Sequence, residues 1–214
     1  MLKLYHLPIS FNSRRVWIAL LEKGLEFELI PLRLDGDQLQ PEFLALNPFH
    51  RIPVLVDGDF TVIESLAILD YLEAKYPTPA LLPADPRSLA KVKMVEMVTL
   101  TELIPQITLF SRQSLWGTDI DASQLAAAKE RTATVLRFFE SLLGDNPYFA
   151  GEMFTSAEIV AGTIVPLLHY FQIDLSDYPR LSRWSEGLLQ RESWRSTAPT
   201  PEQIEEFKAT RPTT

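Results

Sequence analysis

The stretch from Asn47 to Leu72, NPFHRIPVLVDGDFTVIESLAILDYL, constrains the fold more than any other part of the chain. Val54 to Val56 is a short apolar run, Asp57-Gly58 is typical of a tight turn, and Phe60 to Ile63 is a second apolar run, which together predict a β-hairpin. Apolar residues then recur at helical spacing from Leu66 to Tyr76. The stretch therefore predicts a hairpin followed directly by an amphipathic helix.

Two junctions between elements in this stretch carry residues that suggest a functional role as well as a structural one. Ile52-Pro53 stands at the mouth of a strand, where proline cannot donate to a ladder and where either a cis or a trans bond fits the sequence. Glu64-Ser65 stands where strand gives way to helix, so backbone N–H groups and the positive end of the helix dipole face outward. Ser65 is therefore either part of an anion site or a helix cap.

The residues before this stretch complete a first domain. They predict a strand at Leu2–His6, a helix capped by Asn12 or Ser13, a second strand at Phe27–Leu32 and a short helix opened by Pro41. The resulting order, βαβαββα, is that of a thioredoxin-like α/β domain, which we place at residues 1–78. Because a parallel βαβ pair needs a right-handed crossover, we expect Ser10, Pro53 and Ser65 to lie at one edge of the sheet.

A proline-rich segment separates this domain from a second one. Residues 77–86, PTPALLPADP, hold four prolines and no helical period, so we place a linker at 79–87. Residues 88–214 lack strand signals and predict an all-α domain, with a helix from Ser88 to about Trp116 that is kinked at Pro105. Thr155 and Glu158 have the spacing of a capping box, which opens a buried helix predicted over 159–173.

Composition excludes several classes of function. The formal net charge is −8 and the sequence pI is about 5.0, so neither nucleic acid nor an anionic membrane is an expected partner. The chain has no cysteine, which excludes disulfides, zinc-thiolate sites, iron–sulfur clusters and a cysteine nucleophile. Thiol chemistry would therefore need a thiol brought by the substrate.

Other signatures of enzymes or of targeting are missing from the sequence. The eight glycines form neither a dinucleotide fingerprint nor a P-loop, and the three histidines lack metal-ligand spacing, so we expect no metal. The N-terminal segment MLKLYHLPIS has neither a long apolar run nor a small-residue cleavage site. We therefore expect a cytoplasmic protein.

The order of the parts between Asn47 and Leu72 resembles the glutathione-binding half of the soluble glutathione transferases. That order is Asn-Pro, a basic residue, Ile-Pro-Val-Leu, a hairpin turn, and Glu-Ser opening a helix. The box at Thr155 extends the likeness, since these enzymes usually carry Thr/Ser-x-x-Asp there, where this chain has Glu158. The resemblance implies a serine-type enzyme, theta-like or phi-like or of a related bacterial class such as chi, with glutathione as co-substrate.

The resemblance also implies roles for residues of a glutathione site. The backbone of Ile52, beside a cis Pro53, would pair with the cysteinyl unit like an added strand. Ser65 would take the γ-glutamyl carboxylate, and Glu64 would face its ammonium group. Arg51 would bind the glycine carboxylate or the tripeptide backbone.

Weaker candidates accompany these residues. Gln38 matches the family only loosely, and surface exposure explains it as well. His50 belongs either to the loop surface or to the rim of the site. The proposed walls of an apolar pocket for the electrophile suit a hydrophobic core equally well; they are Phe11, Phe110, Leu115 and Trp116.

The loop after the first strand holds the candidate catalytic residue. Family members activate the thiol from this loop with Tyr, Ser or Cys, and Tyr5 lies early, inside the strand. Ser10 stands four residues before Arg14, the spacing of theta-like and phi-like serines, whereas Ser13 suits a helix cap. Ser10 is therefore the favoured donor to the thiolate, with Ser13, Asn12 and backbone N–H groups left as alternatives. Arg14 either assists the thiolate or pairs on the surface.

The resemblance implies a cytoplasmic homodimer that conjugates the thiolate of glutathione to small hydrophobic electrophiles in detoxification. Phe49 would lock into the partner subunit, although filling its own domain's core fits as well. One alternative is a non-catalytic binding or regulatory module of the same fold, because fold does not fix function. Another is a glutathione-dependent isomerase, dehalogenase or peroxidase, although the Ser-Ser-Cys pattern of zeta-type isomerases is absent from the first loop.

Overall fold

A computed structural model gives the fold of residues 1–33 and 36–209. The strands are β1 (Leu2–His6), β2 (Phe27–Pro31), β3 (Val54–Asp57) and β4 (Phe60–Ile63). The α-helices are α1 (Phe11–Glu22), α2 (Pro41–Leu46), α3 (Ser65–Lys75), α4 (Pro86–Val98), α5 (Ile104–Trp116), α6 (Ala122–Leu143), α7 (Ser156–Gly162), α8 (Pro179–Leu189), α9 (Glu192–Ser196) and α10 (Pro201–Ala209). Short 3₁₀-helices at Asp37–Leu39 and Val165–Phe171 and a π-helical turn at Thr99–Leu103 complete the regular structure of these residues.

The four strands form one mixed sheet in the order β2-β1-β3-β4. β1 pairs parallel to β2 and antiparallel to β3, and β3 pairs antiparallel to β4. The predicted hairpin is confirmed, and Gly58 at its turn has a φ of 64°, a value that favours glycine over residues with a Cβ. The predicted βαβαββα order of the thioredoxin-like domain is confirmed in residues 1–33 and 36–75.

The chain divides into two compact units at Ala80 and Leu81, inside the predicted linker. The segment that begins at Glu192 belongs to the first unit, whereas the sequence places it in the second domain. The buried Arg14 side chain explains this pairing, because it donates to the carbonyl of Trp194 at 3.0 Å and to the hydroxyl of Thr197 at 3.2 Å. Hydrogen bonds between residues so far apart in sequence leave no pattern in the local sequence from which they could be predicted.

The second unit, Leu81–Arg191, is built mainly from helices. Between α4 and α5 the chain forms the π-helical turn Thr99–Leu103, so the predicted long helix changes geometry just before Pro105. Proline lacks an N–H and crowds the carbonyl four residues earlier, which here is that of Thr101 within the wider π turn. None of the helices in the described part of the chain is long and apolar enough to cross a membrane.

The predicted capping box opens α7. The Glu158 carboxylate accepts from the Thr155 N–H at 2.8 Å, from its hydroxyl at 2.6 Å and from the Phe149 N–H at 2.8 Å. Burial raises the pKa of Glu158, while the hydrogen bonds from Thr155 and Phe149 oppose that rise. The helix predicted over 159–173 ends instead at Gly162, and a 3₁₀-helix follows. Pro166 accounts for this break, since it cannot supply the N–H that a continuing α-helix needs.

His6 is a buried titratable group in the first unit. Its side chain is 3% exposed, packs edge-on against the Trp17 ring at 5.2 Å, and its Nδ1 has no hydrogen-bond partner among the described residues. Burial lowers the pKa of His6 to about 4. The folded protein therefore holds His6 neutral at a pH where the unfolded chain protonates it.

We predict that His6 makes the fold sensitive to acid. The pKa of His6 is lower in the folded protein than its value of about 6.5 in the unfolded chain. The contribution of His6 to the free energy of unfolding is therefore complete above pH 6.5 and is lost as the pH falls through about 4. The loss is about 3 kcal/mol for a shift of this size. Urea unfolding of the parent and of His6→Phe at pH 7 and pH 4.5 measures it. An equal loss of stability in both proteins would contradict the prediction.

Candidate active site

One row of paired residues organises the candidate site. Val54 pairs with Tyr5 on one side and with Ile63 on the other, so these three residues lie in a row across β1, β3 and β4. The loop after β1, the turn before β3 and the start of α3 all leave the sheet next to this row. Neighbouring strands lie about 4.8 Å apart, so these segments are close to one another. The predicted convergence of Ser10, Pro53 and Ser65 follows from this register.

Ser10 caps α1, and the predicted cap at Asn12 or Ser13 is wrong. The Ser10 hydroxyl oxygen accepts from the Ser13 N–H at 3.3 Å, and its backbone N–H donates to the Leu7 carbonyl at 3.0 Å. The turn from Leu7 to Ser10 thus sets where the helix begins. Ser13 is fully buried, and its hydroxyl accepts from the Leu7 N–H at 3.3 Å. Ser10 is half-buried and can donate its O–H while it caps the helix.

The start of α3 is arranged differently from a simple serine cap. Glu64 is the N-cap residue and makes no side-chain capping bond, so Ser65 is the first residue of the helix. Ser65 is buried, and its hydroxyl accepts from Nη1 of Arg15 at 3.3 Å. A buried guanidinium and helix N–H groups thus lie together at one helix start, which is a favourable environment for a carboxylate. Glu64 has a φ of 67°, a strained value for a residue with a Cβ.

Asn47 shapes the loop that precedes β3. Its side chain is buried, donates to the Arg51 carbonyl at 2.7 Å and accepts from the Phe49 N–H at 3.0 Å. His50 lies in this loop with a φ of 58°, and both His50 and Arg51 are exposed. The Ile52–Pro53 bond is cis, and the paired rows of β3 end at Val54. The main chain of Ile52 therefore lies beyond the ladder.

The remaining candidates of the first unit have less specific surroundings. Gln38 lies after β2, and its side-chain oxygen accepts from the Gly36 N–H at 3.2 Å, so this oxygen serves a local turn. Phe11 is the first residue of α1 and is half-buried. Both residues follow strands whose C-terminal ends point to the same edge, because β1 and β2 are parallel.

The candidates on α5 belong to the second unit. Phe110 is 4% exposed and packs on the Phe171 ring with centroids 6.0 Å apart, so it is a core residue of this unit. Leu115 and Trp116 are half-buried at the C-terminal end of the helix, before Gly117. Only these two therefore retain surface with which to contact a ligand.

The sequence did not single out Arg15 or Asn47. Arg14 and Arg15 are neighbours on a helix, where successive side chains point about 100° apart, so one faces α9 and the other faces Ser65. Burial lowers the pKa of Arg14 to about 10, and the side chain is buried against Trp194 and Thr197 rather than paired on the surface. Within residues 1–33 and 36–209, no group of three or more His, Asp or Glu side chains is placed to hold a metal ion.

Family models match both halves of the chain. The N-terminal domain model of the glutathione S-transferases matches residues 4–80, and the C-terminal domain model matches residues 94–192. Glutathione S-transferase 3 of Zea mays is 37% identical over 208 residues, which cover 92% of each chain. Maleylacetoacetate isomerase of Rattus norvegicus is 31% identical over 201 residues, with 92% of this chain and 91% of that protein covered.

Solved structures agree with these matches. Glutathione transferase F7 from Populus trichocarpa superposes with a TM-score of 0.82 at 29% identity, covering 95% of this chain and 99% of that one. A glutathione transferase homologue from sulfitobacter with bound glutathione has a TM-score of 0.78 at 28% identity, covering 92% and 96%. The fold is thus a thioredoxin-like domain joined to a helical domain of the transferase type. The chain belongs to the glutathione S-transferase family.

We predict that Asn47 maintains the loop that presents Arg51. In Asn47→Ala the Arg51 carbonyl and the Phe49 N–H lose their part-buried side-chain partner, which costs roughly 0.5–1.5 kcal/mol for each hydrogen bond lost. The KM for glutathione should rise, while kcat changes little because Ser10, the favoured hydrogen-bond donor to the thiolate, is unchanged. Steady-state kinetics measures both, with Asn146→Ala as control, because the Asn146 side chain likewise donates to a main-chain carbonyl but lies in the second unit. A fall in kcat at unchanged KM would contradict this role.

Proposed function

We propose that the protein transfers the thiolate of glutathione to small hydrophobic electrophiles and that the first unit binds the tripeptide. The observation that carries this proposal is the row Tyr5–Val54–Ile63, which brings the starts of α1 and α3 and the turn before β3 to one edge. Membership of the family and similarity to a glutathione-bound homologue support it. The theta-like, phi-like or chi-like class remains a prediction.

The start of α3 is the proposed site for the γ-glutamyl group. The carboxylate accepts from helix N–H groups and from the Ser65 hydroxyl, with the Arg15 guanidinium adjacent. The Glu64 carboxylate is exposed beside this helix start and pairs with the ammonium group. The carboxylate and the ammonium group of the ligand thus each face the opposite charge on the protein, and this fixes the orientation of the tripeptide in the site.

The turn before β3 is the proposed site for the rest of the tripeptide. The Ile52 main chain lies beyond the ladder, so it can pair with the cysteinyl unit like an added strand. Arg51 is exposed and binds the glycine carboxylate, and His50 lies at the rim. Gln38 is the weakest member because its oxygen already accepts from Gly36.

Ser10 is the proposed donor to the sulfur. An ordinary thiol has a pKa of about 8.5, so lowering it by about two units requires roughly 2.7 kcal/mol of stabilisation of the thiolate over the thiol. One charge-assisted hydrogen bond supplies about 1.5–3 kcal/mol, and the start of α1 adds favourable dipoles. The thiolate then attacks the electrophilic carbon, forming a carbon–sulfur bond as the leaving group departs with its electron pair or as an activated double bond takes up the charge.

We predict that Ser10→Ala lowers kcat/KM by roughly ten- to a thousand-fold and raises the pKa of the bound thiol by about one to two units. Loss of the α1 cap should also cost about 1 kcal/mol of stability. Ser13→Ala is the matched control, because it loses a part-buried hydrogen bond, from the Leu7 N–H, while the Ser10 hydroxyl remains. The absorbance of the glutathione thiolate, followed against pH, gives the pKa of the bound thiol in the Ser10→Ala and Ser13→Ala proteins. A shift in Ser13→Ala with none in Ser10→Ala would reverse the assignment.

The helical unit is the proposed source of apolar contacts to the electrophile. Leu115 and Trp116 are its half-buried candidates, Phe11 is the candidate of the first unit, and Phe110 serves the core. Detoxification in the cytoplasm is the role we propose for this chemistry. A panel containing an aryl halide, an isothiocyanate and a hydroperoxide tests it. Tight glutathione binding without turnover of any panel member would instead favour a non-catalytic binding module.

A glutathione-dependent isomerase is a second candidate function. The observation in its favour is the 31% identity to the maleylacetoacetate isomerase of Rattus norvegicus over most of both chains. The first loop, however, has Ser-Phe-Asn-Ser and no cysteine, and so lacks the Ser-Ser-Cys pattern of that class. Isomerisation of maleylacetoacetate at a higher kcat/KM than any conjugation reaction would favour this candidate.

We further propose and predict that the protein is a homodimer. Phe49 is 62% exposed beside the loop held by Asn47, and α4 exposes Met94 at 42% and Met97 at 51%. A two-fold contact with a second copy of the chain would remove these apolar side chains from water. Sedimentation at micromolar concentration should give twice the chain mass of 24.4 kDa, with Phe49→Ala shifting the protein toward monomer. A monomer alone in the parent would contradict the proposal.

A further inference from the structure

Helix α9, near the end of the chain, is attached to both ends of α1. The Ser193 hydroxyl donates to the carboxylate of Glu22, the last residue of α1. At the other end of α1, the Arg14 side chain donates to the Trp194 carbonyl at 3.0 Å and to the Thr197 hydroxyl at 3.2 Å. Both helices belong to the first unit. The C-terminal segment therefore constrains the helix whose start carries the proposed donor to the thiolate.

The first turn of α1 connects Arg14 directly to Ser10. The Arg14 N–H donates to the Ser10 carbonyl at 2.9 Å, and the Ser10 hydroxyl accepts from the Ser13 N–H at 3.3 Å. A single turn of backbone thus joins the residue that is attached to the C-terminal segment to the hydroxyl that faces the sulfur. A displacement of Arg14 would therefore also displace the Ser10 hydroxyl and the N–H groups at the start of the helix.

The Arg14 side chain is a firm attachment because it is both buried and charged. It is 5% exposed, and its two partners are neutral groups, whose hydrogen bonds offset part of the cost of removing the charge from water. Burial lowers the pKa of Arg14 to about 10, so the guanidinium remains protonated at pH 7. Movement of α1 away from α9 would break hydrogen bonds to a buried charge, which is costly.

The Thr197 hydroxyl links the attachment at Arg14 to the rest of the C-terminal segment. Thr197 is fully buried, and its hydroxyl accepts from Nε of Arg14 while it donates to the Ser193 carbonyl at 2.6 Å. A hydroxyl can donate and accept at the same time. Because the Ser193 hydroxyl in turn donates to Glu22, one connected set of hydrogen bonds runs from the first turn of α1, through the C-terminal segment, to the last residue of α1.

We propose that Arg14 and Thr197 are positioning residues for thiol activation, through which the C-terminal segment sets how well the first turn of α1 stabilises the thiolate. The inference rests on the proposed function, in which Ser10 donates to the sulfur. A hydrogen bond weakens steeply as its distance and angle depart from the optimum, so a turn that is held less firmly stabilises the thiolate less. Because the tripeptide binds at α3 and at the turn before β3, its affinity should not depend on this attachment.

Thr197→Val tests the proposal without changing any charge. It removes the hydroxyl and keeps the shape of the side chain, and it should raise the pKa of the bound thiol by about half a unit to one unit. The pH profile of kcat/KM should move to higher pH by the same amount, so the rate falls about three- to tenfold on the acid side and recovers on the alkaline side. The KM for glutathione should stay within about twofold of the parent value. Thiolate absorbance against pH and steady-state kinetics measure these quantities.

Two matched variants separate the loss of this hydrogen bond from the general effects of a substitution in the segment. Thr197→Ser retains the hydroxyl and should bring the pKa of the bound thiol back to that of the parent. Ser196→Ala removes a neighbouring exposed hydroxyl, which donates to the Glu192 carbonyl of its own helix, and should leave the pKa of the thiol unchanged. Thermal unfolding checks that each variant is folded at the temperature of the assay.

Variants of Arg14 distinguish positioning from the electric field of the charge. Arg14→Lys keeps the charge but lacks the planar fork of donors, so it should shift the pKa of the thiol in the same direction as Thr197→Val does. A shift in Arg14→Met with none in Arg14→Lys or Thr197→Val would overturn the proposal, because the charge alone would then matter. Lower thermal stability of Thr197→Val at an unchanged thiol pKa would overturn it too. A thiol pKa in the parent complex no lower than that of free glutathione would overturn the proposed function and this inference with it.

Discussion

The hydrogen bond from buried Arg15 to Ser65 is the interaction on which the candidate site depends. It joins the first turns of α1 to the first residue of α3, at 3.3 Å between Nη1 and Oγ. Removing a guanidinium from water is costly, and the neutral Ser65 hydroxyl satisfies one of its N–H groups, so this contact constrains how the two helices meet. The same contact places a positive charge at a helix start that already favours anions.

Local signals predicted much of the scaffold that carries this contact. The Asp57-Gly58 turn, the amphipathic α3 and the capping box at Thr155 each depend on residues a few positions apart, so a single sequence displays them. The convergence of Ser10, Pro53 and Ser65 at one edge also follows from strand order and the handedness of the crossover. The boundary between the two compact units, at Ala80 and Leu81, lies within the linker that the prolines indicate at 79–87.

The errors and omissions share a different physical origin. Arg14 and Arg15 look equivalent in sequence, and only the packing of α9 and α3 on different faces of α1 gives them separate partners. The cap of α1 lies at Ser10 because the Leu7 turn decides where the helix begins. The positive φ of Glu64 and the side-chain bonds of Asn47 likewise depend on tertiary contacts, which no local pattern reports.

Glutathione affinity in Ser65→Ala tests the central claim most directly, since that claim places the γ-glutamyl carboxylate at the start of α3. Calorimetry should show binding weakened by roughly 1–3 kcal/mol, or about five- to 150-fold, because a hydrogen bond to a charged group is lost. Ser88→Ala, which changes a serine in the first turn of α4 instead, should bind as the parent does. Unchanged affinity in a folded Ser65→Ala protein would contradict the placement of the carboxylate at α3.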